Sequence, residues 1–208
     1  MNLFLLCIMG YLTGSIPTGY LLTKFCDGTD IRKYGSHSTG ATNVLRSGHK
    51  TLALLTLLGD AFKGLLFALA TKTFSDDPYY LIAVFFCLIG HSYPVWLGFK
   101  GGKGVATSAG IFVVISPVFA SISITIWAIL AKFLKISSIA SIALATSFAA
   151  LCTYGYITNG TDLSVFLFAL VCLIFLLYTH AQNIERIIHK NEHSPNYEKP
   201  SDSEEKIN

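Results

Sequence analysis

Long unbroken apolar stretches, with no alternating strand-like segments between them, run from Leu3 to Tyr178. A membrane-crossing helix needs about 20 such residues at 1.5 Å rise each. Leu3 to Thr23, Leu52 to Ala70, Tyr79 to Phe99, Ile136 to Tyr156 and Leu163 to Thr179 each supply one such stretch. Val105 to Leu134 is too long for a single comfortable span, and Pro117 interrupts it after Ser116. Proline removes a backbone donor and clashes with the preceding turn, yet it suits the first turn of a new helix. A short helix from about Val105 to Ile115, then a full one from Pro117, is therefore expected. The pattern predicts an all-α polytopic membrane protein with seven transmembrane helices, the fourth of them short.

Charge placement supports that number. Basic residues near span ends favour the cytoplasm. With seven spans and the N-terminus outside, 13 of the 15 Lys and Arg fall on the cytoplasmic side, Lys72 lies outside and Lys63 lies within a span. A six-span chain would put seven on each side. The expected topology is thus N-terminus outside and C-terminus cytoplasmic. The first Lys is Lys24, so the opening apolar segment lacks the basic leader of a secretory signal and reads as a retained span.

Composition narrows the function classes. Hydrophobic residues make up 52% of the 208 residues and charged ones 13%, about half the share in an ordinary soluble domain. The net charge of +3 does not indicate a nucleic-acid partner; the bilayer is the expected one. Cys7, Cys26, Cys87, Cys152 and Cys172 are odd in number, widely spaced and without a C-x-x-C pair, so neither disulfide nor metal is expected. One membrane domain is expected over residues 1–190, with a polar tail at 191–208 whose composition argues disorder.

Three polar stretches gather on the predicted cytoplasmic face. The first runs Gly35-Ser36-His37-Ser38-Thr39-Gly40-Ala41-Thr42-Asn43-Val44-Leu45-Arg46, small and hydroxyl-rich with a basic end. Its amides can form an anion nest, and Arg46 adds a fork of donors suited to phosphate; a plain hydrophilic loop explains the same residues about as well. The second, Phe99-Lys100-Gly101-Gly102-Lys103-Gly104, opens the short helix, where free amides and the positive dipole end attract anions. It is not a P-loop, because Leu97 and Gly104 occupy positions that require Gly and Ser or Thr. A Lys at this depth also commonly binds lipid headgroups. The third follows the last span, where His180 and Asn183 share a helical face. Asp60 and Lys63 are also i,i+3 within a span; they are costly in lipid and are expected to face the bundle, pair and support the structure. His91, before Pro94, has no assigned chemistry.

Together these stretches are specific. Gly14-Ser15-Ile16-Pro17-Thr18-Gly19-Tyr20, Asp30-Ile31-Arg32, Gly35-Ser36 and Gly40 to Val44 with Arg46 resemble the first motif of the bacterial acyl-phosphate:glycerol-3-phosphate acyltransferases, the PlsY family. Gly59-Asp60 with Lys63-Gly64, Gly90-His91 with Pro94-Val95, Phe99 to Thr107, and His180 with Asn183-Ile184 and Arg186 resemble the later segments, so the likeness covers about Leu3 to Glu192. The chain departs from that pattern at His37 and Ser38, where the family has Gly and Asn, at Ala181-Gln182, and at Lys190-Asn191.

The resemblance implies transfer of a fatty acyl group from acyl phosphate to the sn-1 hydroxyl of glycerol 3-phosphate, giving lysophosphatidic acid and phosphate. It implies no cofactor and no metal. Ser36, Arg46, Lys103, His180 and Asn183 would bind glycerol 3-phosphate and orient its hydroxyl. Amides around Gly40, Thr42, Asn43, Gly101, Gly102 and Gly104 would cradle the acyl phosphate. The partners would be these two substrates, the bacterial inner membrane and the enzyme that makes the acyl phosphate.

No Ser-His-carboxylate or Cys-His set lies on the inside face, and no His is followed five residues later by Asp. Direct attack by the glycerol hydroxyl is therefore expected, with a substrate phosphate accepting the proton; His180 as general base is the rival. A transporter also uses broken helices and intramembrane charges, but its site tends toward the midplane between repeated halves. Here the candidates gather on one face without an internal repeat. A non-catalytic membrane scaffold is the third reading, and phosphate release dependent on both substrates separates the enzyme from either.

Overall fold

Proline and glycine punctuate the chain into helices whose lengths decide where the cavity lies. The structure is a computed structural model describing residues 2–75 and 78–189; the predicted tail at 191–208 lies outside the described residues. Among these residues the regular structure is helical, with no strand. Helices α1 (Leu3–Gly14) and α2 (Thr18–Asp27) break at Ser15 to Pro17 but together form one apolar stretch of 25 residues. A loop holding the short α3 (Ala41–Arg46) leads to α4 (Lys50–Phe74), followed by α5 (Tyr79–Ser92). Then come α6 (Val105–Ile115), α7 (Pro117–Leu134), α8 (Ser137–Ile157), α9 (Leu163–Thr179) and α10 (Ala181–Ile188).

The break at Ser116–Pro117 stands where the sequence puts it, with the Ser116 side chain capping α7 and Pro117 in its first turn. Among the described residues, five helical segments are long and apolar enough to cross a membrane, or six when α9 and α10, bent by 61°, are taken together; α6 is apolar but shorter. This is a multi-pass membrane protein. Large apolar side chains such as Leu58, Phe62 and Leu66 of α4 and Ile122, Ile129 and Phe133 of α7 face outward, as a lipid solvent permits.

Without a hydrophobic force between helices in lipid, close approach at small residues holds such bundles together. Two helix pairs show it. A Cβ at Gly10 would collide with the Ala83 carbonyl and one at Gly14 with the Cys87 carbonyl, so α1 and α5 meet backbone to backbone, running parallel. A Cβ at Gly64 would strike the Thr107 carbonyl and one at Gly110 the Ala61 carbonyl, which seats α6 on α4, and the Lys72–Val114 contact further along both helices makes the pair parallel. At the far end of α6, Lys72 donates to the Val114 carbonyl at 3.4 Å, a cation at a helix C-terminus. Between these pairs lies the apolar core, where Phe112 stacks on Phe148 with ring centroids 3.8 Å apart.

The consequence for function is vertical. The α6 contacts begin opposite Ala61 and Gly64, more than ten residues beyond Lys50, where α4 starts. That is about 15 Å along α4, so the 11 residues of α6 cover only about half of the hydrocarbon thickness. The other half is left to the Gly-Lys loop and a cavity. Replacing Gly110 with Val should force α6 off α4 and lower stability by about 1–3 kcal/mol, read as a fall in the thermal midpoint in detergent. An unchanged midpoint would contradict the close α4–α6 seating.

Candidate active site

The first polar stretch is shaped by one amide. Asn43, fully buried in α3, accepts from the Ser36 backbone N–H at 2.9 Å and donates to the carbonyls of Ile31 and Ser38 at 3.0 and 2.8 Å. These three bonds fold the Gly35 to Gly40 segment around its side chain. Gly35 is left-handed (φ 52) and packs against the Asn43 oxygen, leaving no room for a Cβ. His37 is also left-handed (φ 56), the conformation that suits glycine, and its Nδ1 meets the Arg32 carbonyl at 2.8 Å. Asp30 receives Arg32 through Nε and Nη2 at 3.0 and 2.8 Å, and this guanidinium holds the Asp30 carboxyl below its ordinary range. The charges at Asp30 and Arg32 order the loop.

The second stretch lies against α5. Gly101 and Gly102 donate their amides to the carbonyls of Ser92 and His91, both at 3.1 Å, and Gly101 accepts from the Thr39 N–H at 3.3 Å. A side chain at Gly102 would occupy the His91 imidazole. Gly104 is left-handed (φ 89) and opens α6, and Gly104, Val105 and Ala106, at the helix end whose amides lack intrahelical partners, line the cavity. The third stretch is the kink at His180, where α9 ends and α10 begins. His180 Nδ1 meets the Leu176 carbonyl at 2.8 Å; a carbonyl only accepts, so the neutral ring carries its hydrogen on Nδ1 and its lone pair on Nε2. Thr179 donates to the Lys103 carbonyl at 3.0 Å, and Lys103 donates its ammonium to Asn183 Oδ1, so the second and third stretches are joined twice.

All three meet at one cavity of about 680 Å³ including its mouth. Ser36, Arg46, Lys103, His180 and Asn183 line it, as do Gly40, Thr42 and Gly104. Asn43, Gly101 and Gly102, read from sequence as part of the phosphate cradle, do not. Asn43 and the two glycine amides spend their hydrogen bonds inside the protein, building the loops instead of facing the cavity. Asp60 lines the cavity floor, while Lys63 lies behind it, donating to Asp60 Oδ1 at 2.8 Å and to the Ile16 carbonyl at 2.9 Å. His91 Nδ1 stands 3.5 Å from the same carboxylate oxygen. Asp60 is the one carboxylate among the lining residues, and its charge is answered from below, so Arg46 and Lys103 dominate the field above it.

Sequence reading missed the opposite wall. Ser137, Ser138 and Ser141 from α8, and Trp127 from α7, complete the cavity, with Thr42 Oγ1 and Ser137 Oγ 2.9 Å apart. The signal was present as three hydroxyls on one helical face just after Lys135. His91 was visible but unassigned.

The chain matches the family profile of glycerol-3-phosphate acyltransferases over residues 4–190. It is 45% identical over 180 residues to the glycerol-3-phosphate acyltransferase of Methylorubrum extorquens, covering 86% of each chain. The corresponding protein of Ehrlichia chaffeensis is 42% identical over 190 residues, with 91% of this chain and 94% of the relative covered. The chain belongs to the glycerol-3-phosphate acyltransferase family. In fold it is similar to PlsY (YgiH), an integral membrane glycerol 3-phosphate acyltransferase solved in a glycerol 3-phosphate form (TM-score 0.84, 35% identity, 92% of this chain and 94% of that one). A lysophosphatidic acid form of the same protein superposes with a TM-score of 0.80 at 34% identity over the same shares. As an acyltransferase, the protein carries its polar cavity inside a membrane fold.

Thr179 has no counterpart among the sequence-predicted residues, yet it fixes the backbone of Lys103. A Thr179→Val enzyme keeps the shape and loses one hydrogen bond of about 0.5–1.5 kcal/mol, so kcat/KM should fall by roughly two- to tenfold with little change in thermal midpoint. Steady-state acyl transfer to glycerol 3-phosphate measures it, and undiminished kcat/KM would show that the link does not steady the site.

Proposed function

We propose that this acyltransferase uses acyl phosphate as its donor and transfers the acyl group to the sn-1 hydroxyl of glycerol 3-phosphate, releasing lysophosphatidic acid and inorganic phosphate, the first step of phospholipid synthesis. The observation that carries the reading is the convergence of Arg46, Lys103, Ser36, His180 and Asn183 from three distant segments on one cavity beside the amide end of α6. Two cations and a helix N-terminus suit two phosphate-bearing substrates. Arg46 and Lys103 hold the phosphate of glycerol 3-phosphate, with Ser36 and Asn183 as further hydrogen-bonding partners. Amides at Gly40, Thr42 and Gly104 face the acyl phosphate.

In the reaction the sn-1 oxygen bonds to the acyl carbon as the carbon–oxygen bond to phosphate breaks. The hydroxyl proton passes to a substrate phosphate oxygen, whose second pKa near 6 suits proton acceptance at neutral pH. Oriented reactants and fixed positive charge at the developing oxyanion supply the acceleration. A protein nucleophile is not needed, and Cys7, Cys87, Cys152 and Cys172 are buried. His180, its tautomer set by Leu176, orients the acceptor.

Topology follows the same reading. The parallel pairs α1 with α5 and α4 with α6 have the directions that seven spans require, with the site on the cytoplasmic side of the bacterial inner membrane and the acyl-phosphate-producing enzyme as a partner there. Charge supports it, since 13 of 15 basic residues then lie inside.

Purified protein should release phosphate only when acyl phosphate and glycerol 3-phosphate are both present, with acyl-CoA inert. Lys103→Ala and Arg46→Ala should each raise the KM for glycerol 3-phosphate about 10- to 150-fold, the worth of a hydrogen bond to a charged group. His180→Gln should retain slow turnover without losing a limb of its pH profile. Activity with acyl-CoA, or a trapped acyl-enzyme in a single turnover, would refute the scheme. In intact cells, a membrane-impermeant maleimide should label an Asp162→Cys variant, and the exposed Cys26 only after permeabilisation; the reverse order would invert the topology.

A further inference from the structure

The apolar span from Tyr79 to Leu97, 19 residues and so about the length that crosses the hydrocarbon layer, carries exposed aromatic rings at both ends. Tyr79 is exposed at one end and Trp96, in the turn after α5, is 64% exposed at the other. Ile82 and Phe86 follow Tyr79 at three- and four-residue spacing and are exposed on the same face of α5. In a multi-pass membrane protein such a stripe faces lipid, and rings at the two ends of a span sit at the two edges of the bilayer. Trp96 is followed by Phe99, 58% exposed, and by the exposed Lys100. Aromatic rings and then a lysine are the order in which a chain leaves lipid for water.

The backbone of Phe99 adds a second observation. It is left-handed (φ 63), directly after the left-handed Gly98 (φ 61). That conformation suits glycine and is an outlier for a bulky side chain. The turn holds it there, because the Phe99 N–H donates to the Pro94 carbonyl at 3.0 Å and the Gly101 N–H to the Ser92 carbonyl at 3.1 Å. Glycine at this position would close the same turn without the strain. The fold gains little from the ring in return, since most of it lies outside the packed protein. A bulky residue kept at a strained position with its side chain unburied has its partner outside the protein. At the end of a membrane span that partner is the interfacial layer of the bilayer. Only three residues then separate Phe99 from Lys103, and the amides of Gly101 and Gly102 among them are pinned to the end of α5. The depth at which these rings rest is therefore the depth at which the Gly-Lys loop is presented.

We propose that Trp96 and Phe99 form a lipid-interface anchor, both rings seated in the interfacial layer of the bilayer, which fixes the depth at which the Gly-Lys loop meets the head of a lipid-borne donor. The anchor itself stands on exposure, position and backbone conformation. Its consequence for the donor rests on the reading of the cavity as the site where acyl phosphate meets glycerol 3-phosphate. A long-chain donor is held at the depth of the membrane surface and depends on where the loop lies. Glycerol 3-phosphate arrives from water and does not.

The test uses the full-length protein in phosphatidylethanolamine–phosphatidylglycerol liposomes with no other protein present. The chain has two tryptophans, so a Trp127→Phe enzyme reports on Trp96 alone. Its emission should be quenched more by phospholipids brominated near the carbonyl end of the acyl chain than by those brominated near the methyl end, and only weakly by acrylamide. Strong acrylamide quenching without bromolipid quenching would put the ring in water, and quenching by neither would put it under protein; either overturns the anchor. A second measurement does not depend on that variant folding. Phe99→Gly closes the turn without strain, so its thermal midpoint should hold or rise, whereas a merely structural role for the ring would lower it. In the same variant the KM for a long-chain acyl phosphate in the bilayer should rise roughly three- to tenfold, the scale of losing the partial burial of one aromatic ring. The KM for glycerol 3-phosphate should stay within twofold, and Phe99→Tyr should keep the wild-type donor KM. An unaltered donor KM in Phe99→Gly, or an equal rise in both KM values, would overturn the proposal. If the wild-type protein released no phosphate from acyl phosphate and glycerol 3-phosphate, the functional reading would fall, and the quenching would still decide for or against the anchor.

Discussion

Backbone that is not helical cannot be left unpaired among apolar surroundings, because no water is there to satisfy it. In this protein the segment from Phe99 to Gly104 is such a backbone, and its pairing governs the site. The amides of Gly101 and Gly102 close onto the last carbonyls of α5, and the carbonyl of Gly101 is met by Thr39 from the first loop. Only glycine allows this approach, since any Cβ at Gly102 would occupy the His91 ring. Once the loop is pinned, Lys103 has a fixed origin, Thr179 can reach its carbonyl, and α6 begins where Gly104 and its neighbours line the cavity. The glycines of this loop therefore act as construction elements, and the cavity lining falls to Lys103 and Gly104 that they hold in place.

The buried charges obey the same rule. Asp60 and Lys63 are costly among apolar helices unless each is answered. Lys63 satisfies the carboxylate and, through the Ile16 carbonyl, the break between α1 and α2; His91 stands against the same carboxylate and against Gly102. One ion pair thus connects the first helix break, the floor of the cavity and the Gly-Lys loop.

How much of this was legible in the sequence depended on the range of the interaction. Apolar runs and Pro117 announced the helices and the split between α6 and α7, because both signals are local. The five polar side chains assigned to glycerol 3-phosphate were also legible, through motif order, and they do converge on one cavity. The loop-closing hydrogen bonds of Asn43, Gly101 and Gly102 were not, because an amide that lines a cavity and one that closes a loop look alike in sequence; only the partner across space tells them apart. Trp127, Thr179 and the serines of α8 stayed hidden for a related reason. Each sits in a stretch whose apolar or helical character is complete without it, and its significance comes from the helix that stands opposite.

The short α6 has a volumetric meaning. A full membrane-spanning helix would add about nine residues to its N-terminal end, a cylinder about 13 Å long and 10 Å across, or about 1,000 Å³. The cavity together with its open mouth, at about 680 Å³, is of that order. The polar cavity is therefore not carved into a packed bundle and needs no enlarged ring of helices around it. It is the column of bilayer that one helix declines to occupy, and its size was set by where the Gly-Lys loop lets α6 begin.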